Sequence, residues 1–134
     1  MKAVIVLAAM LYLAAAMLYL AAGQKAPHLA AAAHGGTLSC RGLESLWESA
    51  GGSPATAFTA AEIAQAESSG RQYASLYNTN GTTDRGYWQI NSVHGALSTF
   101  DAAGNARAAV RISHDGRDWS PWVTYQTGAY AGRC

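Results

Sequence analysis

The chain has 134 residues, of which 50 % are hydrophobic and 13 % charged, and its formal net charge is +1. Residues 39–134 hold seven arginines, no lysine and eight acidic residues, a near balance without the basic stripe that a nucleic-acid binder shows. The only cysteines are Cys40 and Cys134, and no Cys/His cluster has ligand spacing, so the sequence implies neither a metal centre nor a cofactor.

Lys2 is followed by an unbroken apolar run from Ala3 to Ala22. Twenty residues at helical rise span roughly 30 Å, the thickness of a bilayer core. The run fits two readings: a cleaved secretory signal peptide or a retained membrane anchor over residues 1–22. The first has small-residue cleavage sites at Leu20-Ala21-Ala22 or in the Ala30–Ala33 tract, and the second tethers the protein through residues 3–22. Both readings put the rest of the chain outside the cytoplasm. The heptad AAMLYLA occurs in tandem at Ala8–Ala14 and Ala15–Ala21, a local duplication too short for a solenoid repeat. Residues 23–38 are rich in Ala, Gly and His without apolar periodicity and read as a linker.

Residues 39–134 then form one small domain. Leu43, Leu46, Trp47 and Ala50 share one helix face, and Gly51-Gly52 ends that helix. Thr59 and Glu62 have capping-box spacing, with Phe58 and Ile63 where a hydrophobic staple would stand. They predict a second helix that buries Ile63, Ala64 and Ala66 and stops at Gly70. Asn80-Gly81 signals a hairpin and predicts a small antiparallel ribbon with Asp84 on its second strand. Residues 105–113 read as a further helix, broken by His114-Asp115-Gly116. Trp119, Trp122 and Tyr125 recur at three-residue spacing, a stripe that reads first as core. His94 and His114 read as incidental loop residues. The cysteines bracket the domain, and in an exported protein they read as one disulfide tying its ends, the alternative being two free thiols.

The chemistry concentrates between Glu67 and Ser92. Glu67 falls in the last turn of an apolar helix, near the negative end of its dipole. Both influences disfavour the ionised carboxylate and should raise its pKa, as a general acid at neutral pH requires. A second carboxylate, Asp84, follows after the Asn-Gly turn. Cleavage of a glycosidic bond uses one protonated carboxylic acid and often a second, ionised one. Gly86 lets the backbone approach a ligand or neighbour. Tyr87, Trp88, Gln89 and Asn91 combine flat apolar faces with amides suited to sugars, although strand alternation turns only half of them to a cleft and sends Ile90 to the core.

Glu67-Ser68, the Asn80-Gly81-Thr82-Thr83-Asp84 turn and the Gly86-Tyr87-Trp88-Gln89-Ile90-Asn91-Ser92 run resemble the lysozyme superfamily. The nearest patterns are those of c-type lysozymes and of bacterial or phage SLT-type lytic transglycosylases, and the resemblance spans about Cys40 to Cys134. It implies an α+β, mainly α, lysozyme-like fold with a small β-hairpin lobe beside a helical lobe. It also implies Glu67 as general acid, Trp122 as the aromatic wall of its pocket, and Asp84 as nucleophile or oxocarbenium stabiliser. Gln89, Asn91 and Asp115 would line the groove, with Ser68, Gly86, Tyr87 and Trp88 as further substrate-binding candidates. Cys40 and Cys134 resemble the family's terminus-linking disulfide. Two departures stand out: c-type lysozymes carry four disulfides where this chain can form one, and Arg85 stands where they have an aromatic residue after the Asp, a cation beside Asp84.

The resemblance implies an extracytoplasmic, monomeric enzyme without cofactor, acting on peptidoglycan glycan strands at the β-1,4 bond between N-acetylmuramic acid and N-acetylglucosamine. The short length and single disulfide favour a lytic transglycosylase with Glu67 as general acid, the leading expectation, whereas Asp84 favours the alternative, a hydrolytic lysozyme using Glu67 and Asp84. A non-catalytic glycan-binding module on the same fold, or a membrane-tethered spacer, are the readings from other classes.

Overall fold

A computed structural model describes residues 36–134; residues 1–22, read above as a signal or anchor, and all but the end of the expected linker lie outside the described residues. Among the described residues no helix is long and apolar enough to cross a membrane. The elements in chain order are α1 (Cys40–Ser49), α2 (Pro54–Ser68), β1 (Ser75–Tyr77), β2 (Thr83–Arg85), β3 (Ile90–Asn91), a 3-10 segment (Ser92–Leu97), α3 (Ala102–Ile112) and α4 (Val123–Gln126). The architecture is the expected α+β, mainly helical, with a small antiparallel sheet at one side.

Ser39 caps α1, its hydroxyl accepting from the Gly42 N–H, and the predicted face of Leu43, Leu46 and Trp47 is buried. The chain then turns so closely past Trp47 that a Cβ on Gly52 would collide with the indole. The second helix starts earlier than the capping-box signal indicated. Ser53 is its N-cap and Pro54 its first residue, where a missing N–H and a fixed φ are assets. Thr59 is therefore mid-helix, and the Glu62 carboxylate accepts from the Gly132 N–H at 2.7 Å instead of reaching back to Thr59. The expected staple fails with it, since Phe58 is exposed, and Ala66 is only half-buried. Ile63 and Ala64 are buried as expected, and α2 ends at Ser69, which has a left-handed backbone, and Gly70.

The three strands pair in the order β1-β2-β3, all antiparallel, with Leu76 opposite Asp84 and Asp84 opposite Asn91. Asn78 and Thr82 close the β1–β2 loop through the Asn78 N–H and Thr82 carbonyl at 2.8 Å, with Gly81 at positive φ between them. The predicted ribbon is thus present, extended by a third strand.

Helix α3 starts three residues before the expected Asn105, capped by Asp101, whose carboxylate accepts from the Gly104 N–H. Asn105 is consequently buried inside the helix, where its amide serves the β lobe. Its Oδ1 accepts from the Trp88 N–H at 3.0 Å, and its Nδ2 donates to the carbonyls of Arg85 at 2.8 Å and Thr99 at 3.0 Å.

All four tryptophans are buried in one connected cluster. Ring centroids lie 6.2 Å apart for Trp47–Trp88, 5.5 Å for Trp47–Trp119 and 4.9 Å for Trp119–Trp122. Trp119 and Trp122 thus belong to the core, whereas Tyr125 is exposed and stacks on Tyr130 of the C-terminal segment. Cys40 and Cys134 are disulfide-bonded, joining the start of α1 to the end of the chain.

Two stability predictions follow from these contacts. The disulfide closes a sequence separation of 94 residues, for which the chain-entropy model gives at most ~4.7 kcal/mol and typical disulfides about 2–4 kcal/mol. Reduction should therefore lower the melting temperature by roughly 10 °C or more, and an unchanged melting curve would remove the link as a stabiliser. Asn105→Ala orphans one buried N–H and two carbonyls and should cost about 3 kcal/mol or more in chemical denaturation.

Candidate active site

A cleft of about 680 Å³ runs between the β lobe and the segment leading into α4. That volume is in the range of small-ligand sites. Glu67, Asp84, Gln89, Asn91 and Trp122 line it together, so the two carboxylates proposed from the sequence face one space.

Glu67 is half-buried at the penultimate position of α2. Its Oε1 accepts a hydrogen bond from the Thr124 hydroxyl at 2.5 Å. Burial pushes its pKa above the ordinary carboxylate value; the Thr124 hydroxyl opposes the rise, the charge of Asp84 adds to it, and the Thr124 backbone opposes it slightly. A half-buried carboxyl that keeps its proton to higher pH can deliver that proton to a leaving oxygen.

Asp84 has a different setting. Its Oδ1 accepts from Asn91 Nδ2 at 2.6 Å and its Oδ2 from Asn78 Nδ2 at 2.9 Å. The same two amides also donate to the Thr82 hydroxyl oxygen, and that hydroxyl donates to Asn80 Oδ1 at 2.8 Å. Asp84 is thus held in a lattice of side chains from the β1–β2 loop and β3. Amide donors at both oxygens fix the direction of the carboxylate.

The remaining candidates divide. Gln89 lines the cleft, but its Nε2 is committed to the Ala74 carbonyl at 2.9 Å and the Gly86 carbonyl at 2.8 Å. Asn91 is likewise occupied, holding Asp84 with its nitrogen and accepting from the Val93 N–H with its oxygen. Trp122 lines the cleft although it is largely buried, and its indole N–H donates to the Trp88 carbonyl. Ser68, Gly86, Tyr87, Trp88 and Asp115 are not among the cleft-lining residues. Ser68 is buried, its hydroxyl donating to the Ala64 carbonyl. Tyr87 and Trp88 are buried as well, because the chain leaves β2 in a tight turn with positive φ at Gly86 and Gln89, which ends strand alternation. Gly86 serves a close approach to a neighbour, since a Cβ there would collide with the Asn105 amide. Asp115 accepts from the Ser53 N–H at 2.7 Å and ties the loop after α3 to the start of α2.

Arg85 does not pair with Asp84. Its guanidinium donates to the Ser98 hydroxyl at 3.0 Å, as expected of adjacent strand residues that face opposite sides. His94, read as incidental from the sequence, lines the cleft. Thr124 escaped the sequence reading altogether, because nothing local marks a threonine 57 positions from the acid it touches. Asn78 and Thr82 were missed as well, although their place in an Asn-Gly turn beside a carboxylate was a usable signal.

A family model described as a lysozyme-like domain matches residues 44–124, more than half of the chain and every residue of the cleft. No curated protein matches the chain.

The setting of Glu67 has a measurable consequence. A group whose folded pKa lies above its unfolded value contributes stability that is full below the unfolded pKa and is lost as pH rises through the folded one. The unfolded value is near 4.5, and the folded value is higher. Glu67→Gln cannot ionise and escapes that loss. Its melting temperature relative to wild type should therefore rise between pH 4 and pH 7; an offset that does not change with pH would contradict the raised pKa.

Proposed function

The chain belongs to the lysozyme-like domain family, and on that premise we propose that it cleaves the β-1,4 bond between N-acetylmuramic acid and N-acetylglucosamine in peptidoglycan. The supporting observation is the pairing of two carboxyl groups in unlike surroundings along one cleft. Glu67 is half-buried with a raised pKa, and Asp84 is clamped by two amides. Unlike environments assign unlike roles to paired carboxyl groups.

In this reading Glu67 gives its proton to the bridging oxygen, and the C1–O bond breaks. The ring cation left behind faces the Asp84 carboxylate. A water molecule then attacks C1 and returns a proton to Glu67, restoring the acid. The clamp on Asp84 favours this hydrolytic course over the transglycosylase course that the short chain and single disulfide suggested. In the latter, the substrate's own acetamido group assists, a ring hydroxyl closes a 1,6-anhydro end, and a second carboxylate has no assigned task. The disulfide and the apolar run at residues 3–22 both fit work outside the cytoplasm.

The test is mass spectrometry of muropeptides released from purified peptidoglycan, with Glu67→Gln in parallel. Reducing ends are expected, with turnover at least ~100-fold lower in the variant. Asp84→Asn should also be impaired. Anhydro-muramyl ends would replace hydrolysis by intramolecular capture and reduce Asp84 to a residue of the cleft wall. Equal, background-level release by wild type and Glu67→Gln would leave the glycan-binding module in place of the enzyme.

A further inference from the structure

We propose that Thr124 is a positioning residue: it fixes which oxygen of Glu67 carries the transferable proton and holds that oxygen toward the cleft. The inference rests on the glycosidase reading above and names a residue which that reading leaves unused. A threonine hydroxyl has one proton to donate. Among the described residues, the Thr124 hydroxyl gives that proton to Glu67 Oε1, at 2.5 Å. An oxygen that accepts this bond is the carbonyl-like one when the acid is protonated, which leaves the acidic proton on Oε2. Without the hydroxyl, the carboxyl group is free to rotate and to carry its proton on either oxygen.

A positioning residue must itself be fixed, and Thr124 sits on a weak element. Helix α4 has four residues and its N-cap, Trp122, makes no side-chain capping bond. Its place is set from both sides instead. Before it, Trp122 is buried, and its indole N–H is bonded to the Trp88 carbonyl at 2.9 Å. After it, the chain folds back so that the Tyr130 N–H donates to the Thr124 carbonyl at 3.2 Å and Tyr130 stacks on Tyr125 with centroids 5.0 Å apart. Two residues on, the Gly132 N–H donates to Glu62 on α2, the helix that carries Glu67, and the chain ends in the disulfide to Cys40. The hydroxyl and the acid are thereby referred to the same helix.

The charges around Glu67 do not duplicate this function. Asp84 on β2 and His94 in the 3-10 segment line the same cleft from the opposite lobe. Glu62, on the same helix, is engaged with Gly132, and the only titratable side chain of α4 is Tyr125, stacked on Tyr130.

The experiment compares wild type, Thr124→Val and Thr124→Ser in the full chain. The readouts are a carbon-13 NMR titration of the Glu67 carboxyl, kcat and KM on peptidoglycan against pH, and melting temperature. Valine keeps the shape and removes a bond that favours the carboxylate, so the Glu67 pKa should rise further and the alkaline limb of kcat should move to higher pH. At the optimum kcat should fall about tenfold or more with KM little changed, and serine should restore both. Should the valine variant fail to fold, Thr124→Ala carries the same readouts. A folded valine or alanine variant with the wild-type Glu67 titration and wild-type kcat overturns the proposal. So does a drop in melting temperature without movement of the limb, which is the signature of a merely structural threonine. If wild type itself cleaves nothing, the glycosidase reading fails separately, and the titration alone still decides whether Thr124 controls the acid.

Discussion

The domain depends on four indoles packed into one cluster. Fewer than a hundred residues must bury enough apolar surface to hold two lobes together, and large aromatic side chains bury 150–250 Å² each. Three of the four also use their N–H as a tie: Trp47 to the Ser53 carbonyl, Trp88 to the Ala60 carbonyl and Trp122 to the Trp88 carbonyl. Through them α1 is bound to the start of α2, the turn after β2 to the middle of α2, and the segment before α4 to that turn. Trp119 completes the stack, and its Nε1 has no hydrogen-bond partner among the described residues, a local cost that its packing on Trp47 and Trp122 offsets. The same cluster supplies Trp122 to the cleft, so the wall of the proposed active site is an extension of the core.

Around that core the two lobes use different chemistry, and this difference separates the two carboxyl groups. Glu67 sits at the end of α2, whose buried side is lined by Ala and Ile, and burial is the largest influence on its pKa. Asp84 lies in the β lobe, where Asn and Thr side chains form a lattice around it. One environment withdraws the carboxyl group from water, and the other holds it with two side-chain amides. Asn105 joins the two regimes. It is buried within α3, yet its amide satisfies backbone groups of Arg85 in β2, Trp88 in the turn after it and Thr99 after the 3-10 segment, which ties the β lobe to the helices.

Much of this was legible from the chain, for stated reasons. The period of Leu43, Leu46 and Trp47 gave α1, and the Asn80-Gly81 turn gave the ribbon and the strand that bears Asp84. The errors occurred where distant contacts outranked local pattern. Thr59 and Glu62 have capping-box spacing, but Ser53-Pro54 is a stronger start, and Glu62 is claimed by Gly132 from 70 positions away. Tyr87 and Trp88 look like sugar platforms in a run of alternating strand, until two positive-φ residues break the alternation and bury both rings. Asp115 and Thr124 make the same point in opposite directions. The first was assigned to the groove but braces the start of α2, and the second was overlooked but touches the acid. Sequence spacing finds side chains that act with their near neighbours, and it is blind to partners that only the closed fold brings within 3 Å.

The position of the disulfide now has a physical rationale beyond the tying of ends. Holding a carboxyl group partly out of water lowers the stability of the folded state at neutral pH, where the unfolded chain would ionise it freely. A small domain can carry that deficit only if other contacts compensate, and those contacts must leave the cleft open. The Cys40–Cys134 link does so from outside: it constrains the unfolded chain, touches no residue of the cleft, and ends the tail that supports Thr124. The tryptophan cluster compensates from inside, with Trp122 its one member along the cleft. The withdrawal of Glu67 from water lies beside its contact with Thr124, and stability is supplied by groups on either side of it. The proposed role of Glu67 as proton donor requires that division, because any stabilising contact made directly to its second oxygen would compete with a substrate for the proton.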